Sequence, residues 1–265
     1  MPLKVMTLNI LMGGEERMPL LLPLIARENP DVLVLQECLG WEDGERLGQV
    51  AAAMNLPVTE THVRLGTARP RPSGNRYHVA VASRLPLRSA RAHNDAHFIG
   101  HCLLECELET GTAPLTLFAA HFDSHHENLR FVEARYLRSL LAPSAFAQGT
   151  FLLAGDLNSL SRADPYPVDL ADRVRRVGLD KYGHPPRFDV IDELEGFGWV
   201  DVLRRRPDSS RWVTARRQRG AEVLELRTDY LFASPRLAER LLGADVVDVG
   251  AASDHHALTA TFTEA

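Results

Sequence analysis

Short apolar runs recur along this chain, and they constrain its fold more than any other feature. Asp31–Glu37 (DVLVLQE) and Phe151–Gly155 (FLLAG) are typical of strands that are buried on both faces. Six further segments carry strand-like patterns, namely Lys4–Ile10, Tyr77–Ser83, Cys102–Leu108, Leu115–His121, Thr228–Ala233 and His255–Phe262. Strands of this kind need a packing layer against each face, which favours stacked sheets.

Fewer segments have helical spacing. They are Met18–Asn29, Gly44–Met54, Glu127–Leu141 and Phe188–Phe197. In the third, an apolar stripe is predicted to face the core, formed by Leu129, Val132, Tyr136, Leu137 and Leu140. Many strands with few helices predict an α/β (α+β) fold of two packed sheets covered by helices. No linker-like segment interrupts the pattern, so residues 1–265 are expected to form a single domain.

Charge and cysteine content narrow the functional class. The net charge is −5 in 265 residues, which argues against a protein that holds long DNA non-specifically through its backbone. No apolar run approaches the roughly 18 residues of a membrane span, and no signal peptide is recognised. Cys38, Cys102 and Cys106 form no CxxC motif, so we expect a reduced, cytoplasmic protein.

Residues that bind metals or move protons lie where the predicted strands end. Each has an ordinary explanation as a turn, cap or core residue, but one shared pocket explains them all. Residues two apart on a strand share a face, so Asp156 and Asn158 would point the same way if their strand stays extended. The set comprises Asn9, Glu37, His121, Asp123, Asp156, Asn158, Asp229, Asp254 and His255.

The motifs TLNI, LQE, GDLN, RTDYLF and SDH follow one another between residues 7 and 255. In this order they resemble the endonuclease/exonuclease/phosphatase superfamily of deoxyribonuclease-I-like metal-dependent hydrolases. The resemblance covers nearly the whole chain. It implies a four-layer αββα sandwich, in which helices flank two packed mixed β-sheets and the site lies at one edge. The segment GDLNSLSRADPYP further resembles generic bacterial hydrolases of the group.

The resemblance also implies roles for the strand-end residues. Glu37 resembles the principal ligand of Mg²⁺ or Mn²⁺, with Asn9 and Asp254 beside the same ion, as suits a hard cation. His255 resembles the general base and Asp229 the residue that orients it. Three further residues are implied to be catalytic: Asp156 would position the water or serve the leaving group, Asn158 would donate to a phosphate oxygen, and His121 would be a phosphate ligand or an acid.

The expected reaction is metal-assisted, in-line attack of a histidine-activated water on a phosphodiester of nucleic acid, a nucleotide or another compound. One alternative is a phosphomonoesterase or small-molecule phosphatase with the same site. Another is a non-catalytic or biosynthetically repurposed binding domain. A competing metal hypothesis places zinc at His121, His125 and His126 in HFDSHHE. No partner helix or membrane segment is predicted, and a monomer is expected.

Two arginine-rich stretches bear on the substrate. Thr61–Asn94 has seven arginines and no acidic residue; in its central loop, TARPRPSGNRYH, we expect Asn75 and Arg76 to contact substrate. The segment 204–219 interleaves arginines with Trp212, which could stack on a base or sugar. The alternative for both stretches is a solvated surface loop. The arginines of the second stretch are Arg204, Arg205, Arg206, Arg211, Arg216, Arg217 and Arg219.

Overall fold

The structure is a computed structural model that describes residues 2–111, 113–205 and 211–263. The strands of this part of the chain are β1 Leu3–Asn9, β2 Val32–Gln36, β3 Val63–Gly66, β4 Val79–Ser83, β5 Leu87–His93, β6 Cys102–Leu108, β7 Leu115–His121, β8 Thr150–Asp156, β9 Val200–Asp201, β10 Ala215–Arg219, β11 Glu222–Leu226, β12 Asp229–Ala233, β13 Leu241–Val247 and β14 Ala257–Phe262. The helices are α1 Met18–Glu28, α2 Glu45–Ala53, α3 Glu127–Ser139, α4 Pro143–Gln148, α5 Leu170–Val177, α6 Asp189–Phe197, α7 Val202–Arg205 and α8 Pro235–Ala238.

Twelve of the strands form two mixed sheets. The first sheet has the order β13-β14-β1-β2-β4-β3, and the second has the order β5-β6-β7-β8-β12-β9. The β1–β2 and β7–β8 pairs are parallel, whereas the other neighbours within the two sheets run antiparallel. Strands β10 and β11 form a separate hairpin. The predicted class is confirmed: two mixed sheets of six strands have helices around them.

Alternation of side chains along the strands produces the layers. Val5 of β1 and Leu117 of β7 both lie in the apolar cluster between the sheets. Met6 points to the opposite side of the first sheet, where residues of α1 and α2 cover it. Phe118 points to the outer side of the second sheet, where residues of α3, α4 and α6 cover it. The sequence therefore distributes apolar residues to both faces of the central strands.

The strand directions bring the predicted polar residues to one edge. Strands β1 and β2 are parallel, and so are β7 and β8, so the carboxyl ends within each pair coincide. Strand β12 runs antiparallel to β8, which places its first residue, Asp229, opposite Asp156 at the end of β8. In the same row, His121 at the end of β7 also lies opposite Asp156. Strand β14 runs antiparallel to β1, so the residues preceding it lie near Asn9.

The helix predicted over Glu127–Leu141 spans Glu127–Ser139, but the stripe assigned to the core was only partly right. Tyr136 and Leu140 are partly buried and pack against the core, as expected. Leu129 is 47% exposed and Val132 is 37% exposed, although Leu137 of the same stripe is buried. The buried face instead includes the charged residues Arg130 and Glu133. Polar contacts to neighbouring loops satisfy these two side chains, so apolar spacing alone did not identify the buried face.

The second arginine-rich stretch is partly a strand. The segment, for which a surface loop was the alternative, enters β10, whose side chains are mostly exposed, while Arg206 lies outside the described residues. Trp212 contacts Tyr166 edge-to-face, with ring centroids 5.3 Å apart. Within the described residues, the helices are too short or too polar to cross a membrane.

Candidate active site

His255 and Asp229 form the central hydrogen bond of the site. The His255 Nδ1 atom lies 2.7 Å from Asp229 Oδ2, and both side chains are buried. The Thr214 hydroxyl accepts the backbone N–H of Asp229 at 3.1 Å, which fixes the start of β12. His255 is held in place by a backbone bridge to Ala215. The imidazole is therefore oriented by a carboxylate, as expected of a histidine that accepts a proton at Nε2.

The charges around His255 oppose one another. Burial lowers the pKa of the imidazole, but Asp229 and then Asp156 outweigh it and raise the pKa to about 9. Burial raises the pKa of Asp229, and the facing imidazole opposes that change. Burial would also raise the pKa of Asp156, but His255, His121 and Lys181 reverse the shift and lower it. Asp156 therefore carries the negative charge of the pair more readily than Asp229.

Arg217 of β10 contacts the other ring nitrogen of His255. Its Nη2 lies 3.1 Å from Nε2, and its Nη1 donates to Asp254 Oδ2 at 2.7 Å. A guanidinium has no acceptor, so in the neutral ring Nε2 would accept from Arg217 and Nδ1 would donate to Asp229. This contact favours the neutral ring and opposes the effect of the carboxylates. Asp254 is 37% exposed and lies beside His255, as the SDH motif implied, although its described partner is Arg217.

Asp156 lies at the centre of the polar edge. Its Oδ2 accepts from Asn9 Nδ2 at 3.0 Å and lies 3.9 Å from both the Nε2 of His255 and that of His121. The preceding Gly155 has φ 149°, and a Cβ on it would lie 1.9 Å from the Ala120 carbonyl oxygen. Only glycine allows β7 and β8 to approach this closely, which explains the glycine of the GDLN motif.

Asn158 lies in the site, but the strand does not stay extended to reach it. Strand β8 ends at Asp156, and Asn158 adopts φ 50° in the left-handed region. Its backbone N–H donates to Asp156 Oδ1 at 2.8 Å. Its amide is engaged on both sides, because Lys181 Nζ donates to Oδ1 at 2.6 Å and Nδ2 donates to the Phe122 carbonyl at 3.2 Å. Because Lys181 can only donate, it keeps Oδ1 of the amide towards itself and Nδ2 towards the Phe122 carbonyl.

Glu37 and Asn9 form an oxygen-rich group at the ends of β2 and β1. Asn9 Nδ2 donates to Glu37 Oε1 at 3.2 Å as well as to Asp156, so one amide joins two carboxylates. Glu37 Oε2 accepts the backbone N–H of Met12 at 2.9 Å. Glu37 has φ 60°, an uncommon value for a residue with a side chain, and its carbonyl accepts the N–H groups of Gly13 and Leu39. Such strain is typical of functional positions.

A cavity of about 610 Å³ opens beside Glu37. His101 and His121 line it as parallel stacked rings with centroids 4.4 Å apart, and among the described residues their ring nitrogens have no hydrogen-bond partner. Burial, followed by the neighbouring His121, lowers the pKa of His101 well below its usual range. His101 could not be identified from the sequence, because a histidine between a turn and a strand carries no distinctive signal.

The proposed zinc ligands are not brought together. Among the described residues, the acidic or histidine groups with three ligand atoms within 4.8 Å of one another are Asp156, Asp229 and His255. His121 lies on the cavity wall, whereas the backbone N–H groups of His125 and His126 donate to Asp123 Oδ1, each at 2.8 Å. This segment is therefore a turn stabilised by Asp123.

The loop TARPRPSGNRYH contributes to the cavity wall a residue other than Asn75 and Arg76, the two that were predicted to contact substrate. Arg71 lines the cavity and its Nη1 lies 3.4 Å from Asp123 Oδ2. Arg76 instead donates to the Ala68 carbonyl within the loop at 3.0 Å, and the Asn75 carbonyl accepts the backbone N–H of Arg71 at 2.8 Å. Arg76 and Asn75 thus shape the loop that holds Arg71 in place, and their contact with substrate stays a prediction.

Arg130 connects three loops that carry site residues. It is fully buried and donates to the carbonyl of Asp123 at 2.9 Å, to the Ser159 hydroxyl at 3.1 Å and to the carbonyl of Lys181 at 2.6 Å. Its charge is balanced by Glu127, with 2.6 Å between Nη2 and Oε2. Arg130 could not be singled out from the sequence, because its carbonyl and hydroxyl partners in the other loops are distant along the chain.

Comparisons with known proteins agree with this geometry. The sequence profile of the Endonuclease/Exonuclease/phosphatase family matches residues 6–255. A search of curated proteins gave no match.

Similar solved structures include an endonuclease/exonuclease/phosphatase family protein from Leptotrichia buccalis C-1013-b, with 12% identity, coverage of 98% of this chain and 99% of that chain, and a TM-score of 0.70. An AP endonuclease from Archaeoglobus fulgidus has 20% identity, the same coverages and a TM-score of 0.67. The 3′ phosphatase NExo from Neisseria, bound to a product DNA hairpin, has 19% identity, the same coverages and a TM-score of 0.67. At identities this low, these structural matches establish that the fold is shared and no more.

Proposed function

Because this chain belongs to the endonuclease/exonuclease/phosphatase family, as its motifs predicted, we propose that it is a divalent-metal-dependent phosphodiesterase with His255 as its general base. The observation that carries this proposal is the 2.7 Å bond from His255 Nδ1 to Asp229, at the sheet edge that also holds Glu37 and Asn9. Members of this family hydrolyse phosphate esters, and the arrangement suits that chemistry.

The donor set fits a hard divalent cation. Glu37 is only partly buried and lines the cavity, so its carboxylate is accessible from solvent. We assign the metal to Glu37 and Asn9, with Asp254 as a further acid, because carboxylate and amide oxygens are what Mg²⁺ and Mn²⁺ prefer. Asn9 Oδ1 accepts the backbone N–H of Leu11 at 3.0 Å, so the amide would turn to present this oxygen to the ion. When bound, the cation would neutralise negative charge on the phosphate. We assign Asp229 and His255 to proton transfer instead, because Asp229 Oδ2 and His255 Nδ1 are hydrogen-bonded to each other.

The chain's own residues account for the proton transfer. The oxygen of a water attacks phosphorus in line with the leaving oxygen, and a proton of that water passes to His255 Nε2. Asp229 stabilises the resulting imidazolium through Nδ1–H. The phosphorus–oxygen bond to the leaving group breaks, and the departing oxygen takes up a proton. His121 is the proposed donor of that proton, since it lines the cavity and its ring nitrogens have no hydrogen-bond partner in the described part of the chain.

Asp156 and Asn158 complete the proposed site. Asp156 lies 3.9 Å from His255 Nε2, near enough to orient a water between them. Asn158 would donate to a non-bridging phosphate oxygen, as its family position implies, once its Nδ2 releases the Phe122 carbonyl. The ammonium of Lys181 adds positive charge on the same side.

Nucleic acid or a nucleotide is the proposed substrate. Two proteins of similar fold are, by their descriptions, an AP endonuclease and a 3′ phosphatase bound to a DNA hairpin. The phosphatase also supports the phosphomonoesterase alternative. Magnesium or manganese as the metal, a monomeric state and a cytoplasmic location belong to the same proposal. The three cysteines are unpaired and buried, in keeping with a reducing compartment.

The test is hydrolysis of bis-p-nitrophenyl phosphate and p-nitrophenyl phosphate side by side, with Mg²⁺, Mn²⁺ or EDTA. We expect metal-dependent cleavage of the diester, abolished by EDTA. Cleavage of the monoester alone would replace the proposal with the phosphatase alternative. Absence of cleavage of both compounds and of DNA, RNA and nucleotides would contradict an enzymatic role.

A further inference from the structure

Arg217 contacts the ring nitrogen through which His255 would act as a base. The acceptor of the base is Nε2, and the Arg217 guanidinium holds it at 3.1 Å. The same guanidinium holds Asp254 Oδ2 at 2.7 Å. A water cannot give its proton to a nitrogen whose lone pair already accepts from a guanidinium. One side chain therefore covers both the base and the exposed acid next to it.

The backbone builds this contact into the fold. Ala215 forms a bridge with His255, and Arg217 lies two residues further along β10 on the same face. Arg216 lies on the opposite face, where its Nε is 3.7 Å from Glu225 Oε1. The two adjacent arginines thus have different surroundings, and only the one that shares the face of Ala215 reaches the base.

We propose that Arg217 binds the scissile phosphate, and that it covers His255 until a phosphate draws it away. This inference rests on the function proposed above. In the structure, the guanidinium has modest partners, namely the imidazole of His255 and a carboxylate that is 37% exposed. A phosphate with two non-bridging oxygens offers a bidentate, charge-assisted contact that matches the planar guanidinium.

The surroundings keep Arg217 in the site after it moves. Its guanidinium is largely enclosed, and Asp254, Asp156 and Asp229 all attract it. A substrate phosphate placed near Asp156 and His255 lies within the range of a flexible arginine side chain. Binding of the phosphate then exposes Nε2 to water at the moment when hydrolysis can occur. The proposed ligand class is a phosphate ester with at least two unsubstituted oxygens.

The experiment needs no turnover. Binding of inorganic phosphate in the presence of Mg²⁺ is measured by calorimetry for the wild type, Arg217→Gln and the matched control Arg216→Gln. The ring ¹⁵N signals of His255 are followed by NMR during the same titrations. We expect Arg217→Gln to weaken phosphate binding by about 10- to 100-fold, the effect of losing hydrogen bonds to a charged group. Arg216→Gln should bind like the wild type.

The NMR signals separate a phosphate ligand from a purely structural residue. In the wild type and in Arg216→Gln, phosphate should shift the Nε2 signal towards its position in phosphate-free Arg217→Gln, where no guanidinium contacts it. Unchanged phosphate affinity in Arg217→Gln, or an Nε2 signal that phosphate does not move in the wild type, would overturn the inference. If esters are not cleaved but Arg217 behaves as expected, the proposed function fails and the phosphate site stands.

Discussion

Two acidic side chains lie beside His255, and their contacts give them different roles. Asp229 bonds to Nδ1, and its Oδ1 has no partner among the described residues. Asp156 lies 3.9 Å from Nε2 and is held by Asn9 and by the backbone of Asn158. Asp229 thus sets the tautomer of the ring, whereas Asp156 faces the side from which a water would approach.

Replacing Asp229 by Asn tests the tautomer directly. The amide can present an N–H to Nδ1, which would then accept, and the proton would move to Nε2, where the base needs a lone pair. We expect Asp229→Asn to lower kcat for diester hydrolysis by about 10³-fold, on the scale of a misoriented general base. Activity within a few-fold of the wild type would show that Asp229 does not orient the base.

Removal of the proposed base, His255, or of the proposed metal ligand, Glu37, tests the mechanism as directly. We expect His255→Ala and Glu37→Ala each to lower turnover at least ~100-fold. His256→Ala is the matched control, because its ring is only half-buried and its Nδ1 lies 3.5 Å from Asp248 Oδ1. Circular dichroism checks folding. Near-normal turnover of His255→Ala would contradict the mechanism and leave the fold unaffected.

The sequence predicted those site residues that follow apolar strands. Asn9, Glu37, Asp156, Asp229 and His255 stand at strand ends, and the strand directions bring them together. Their roles remain predictions that the experiments above test.

Side chains that join the site from elsewhere in the fold could not be predicted. Arg217 differs from Arg216 only through the bridge of Ala215 to His255, a contact between residues forty positions apart along the chain. Lys181 and Arg130 likewise reach the site through partners distant in sequence.

At the scale of elements, α3 anchors the site through charged residues on its buried face. We expect Arg130→Met to lower the free energy of unfolding by about 3–5 kcal/mol, because it leaves Glu127 buried without its partner. Arg138→Met on the same helix is the control; its side chain is 51% exposed, so the loss of its pair with Glu193 should cost about 0–1 kcal/mol. Urea unfolding measures both. Equal losses would contradict the anchoring role.

Glu133 of α3 should make stability depend on pH. Its carboxylate accepts the backbone N–H groups of Gly100 and Asp123, each at 2.7 Å, and burial raises its pKa to about 8. The folded protein therefore keeps a proton that the unfolded chain loses above its ordinary value of 4.5. The stability that this bound proton contributes is fully present below pH 4.5 and is lost as the pH rises through about 8.

Glu133→Gln should remove this dependence. Between the two pKa values, wild-type stability should fall by up to about 1.4 kcal/mol per pH unit relative to the variant. Glu60→Gln is the control, because the side chain of Glu60 is 82% exposed. Urea unfolding at a series of pH values measures the slope. A slope that is the same in the wild type and in Glu133→Gln would show that Glu133 does not hold the proton.

Strands differed in how well the sequence predicted them. Cys102–Leu108 and Leu115–His121 were predicted with the bounds that the structure has, because central strands collect apolar residues on both faces. Strand β5 was not predicted. It lies at the edge of its sheet and exposes most of its side chains, including two arginines, so its pattern resembles that of a loop.

At the scale of the whole molecule, the two sheets share one apolar layer. Val34 of the first sheet and Leu152 of the second belong to the same cluster. We therefore propose that the chain unfolds as a single domain. Trp41 lies in the cluster outside the first sheet and Trp199 in the cluster outside the second, so each reports on one side.

Variants that keep only one of these tryptophans test the proposal. In both variants Trp212 is replaced by Phe. In one variant Trp41 is also replaced by Phe, so that Trp199 remains, and in the other Trp199 is replaced, so that Trp41 remains. Within each variant, the urea midpoint from fluorescence should coincide with the midpoint from far-UV circular dichroism. Two separate midpoints in either variant would show that the sheets unfold independently.

The shared apolar layer has a consequence for how such a protein can change. Asn9, Glu37 and His255 are carried by the first sheet, and His121, Asp156 and Asp229 by the second. The spacing between the two groups is set by the thickness of the layer between them. Substitutions there that alter side-chain volume should shift the two groups relative to each other. Selection for catalysis therefore acts on residues that no substrate touches, and new substrate preferences should arise more readily in the loops than in this layer.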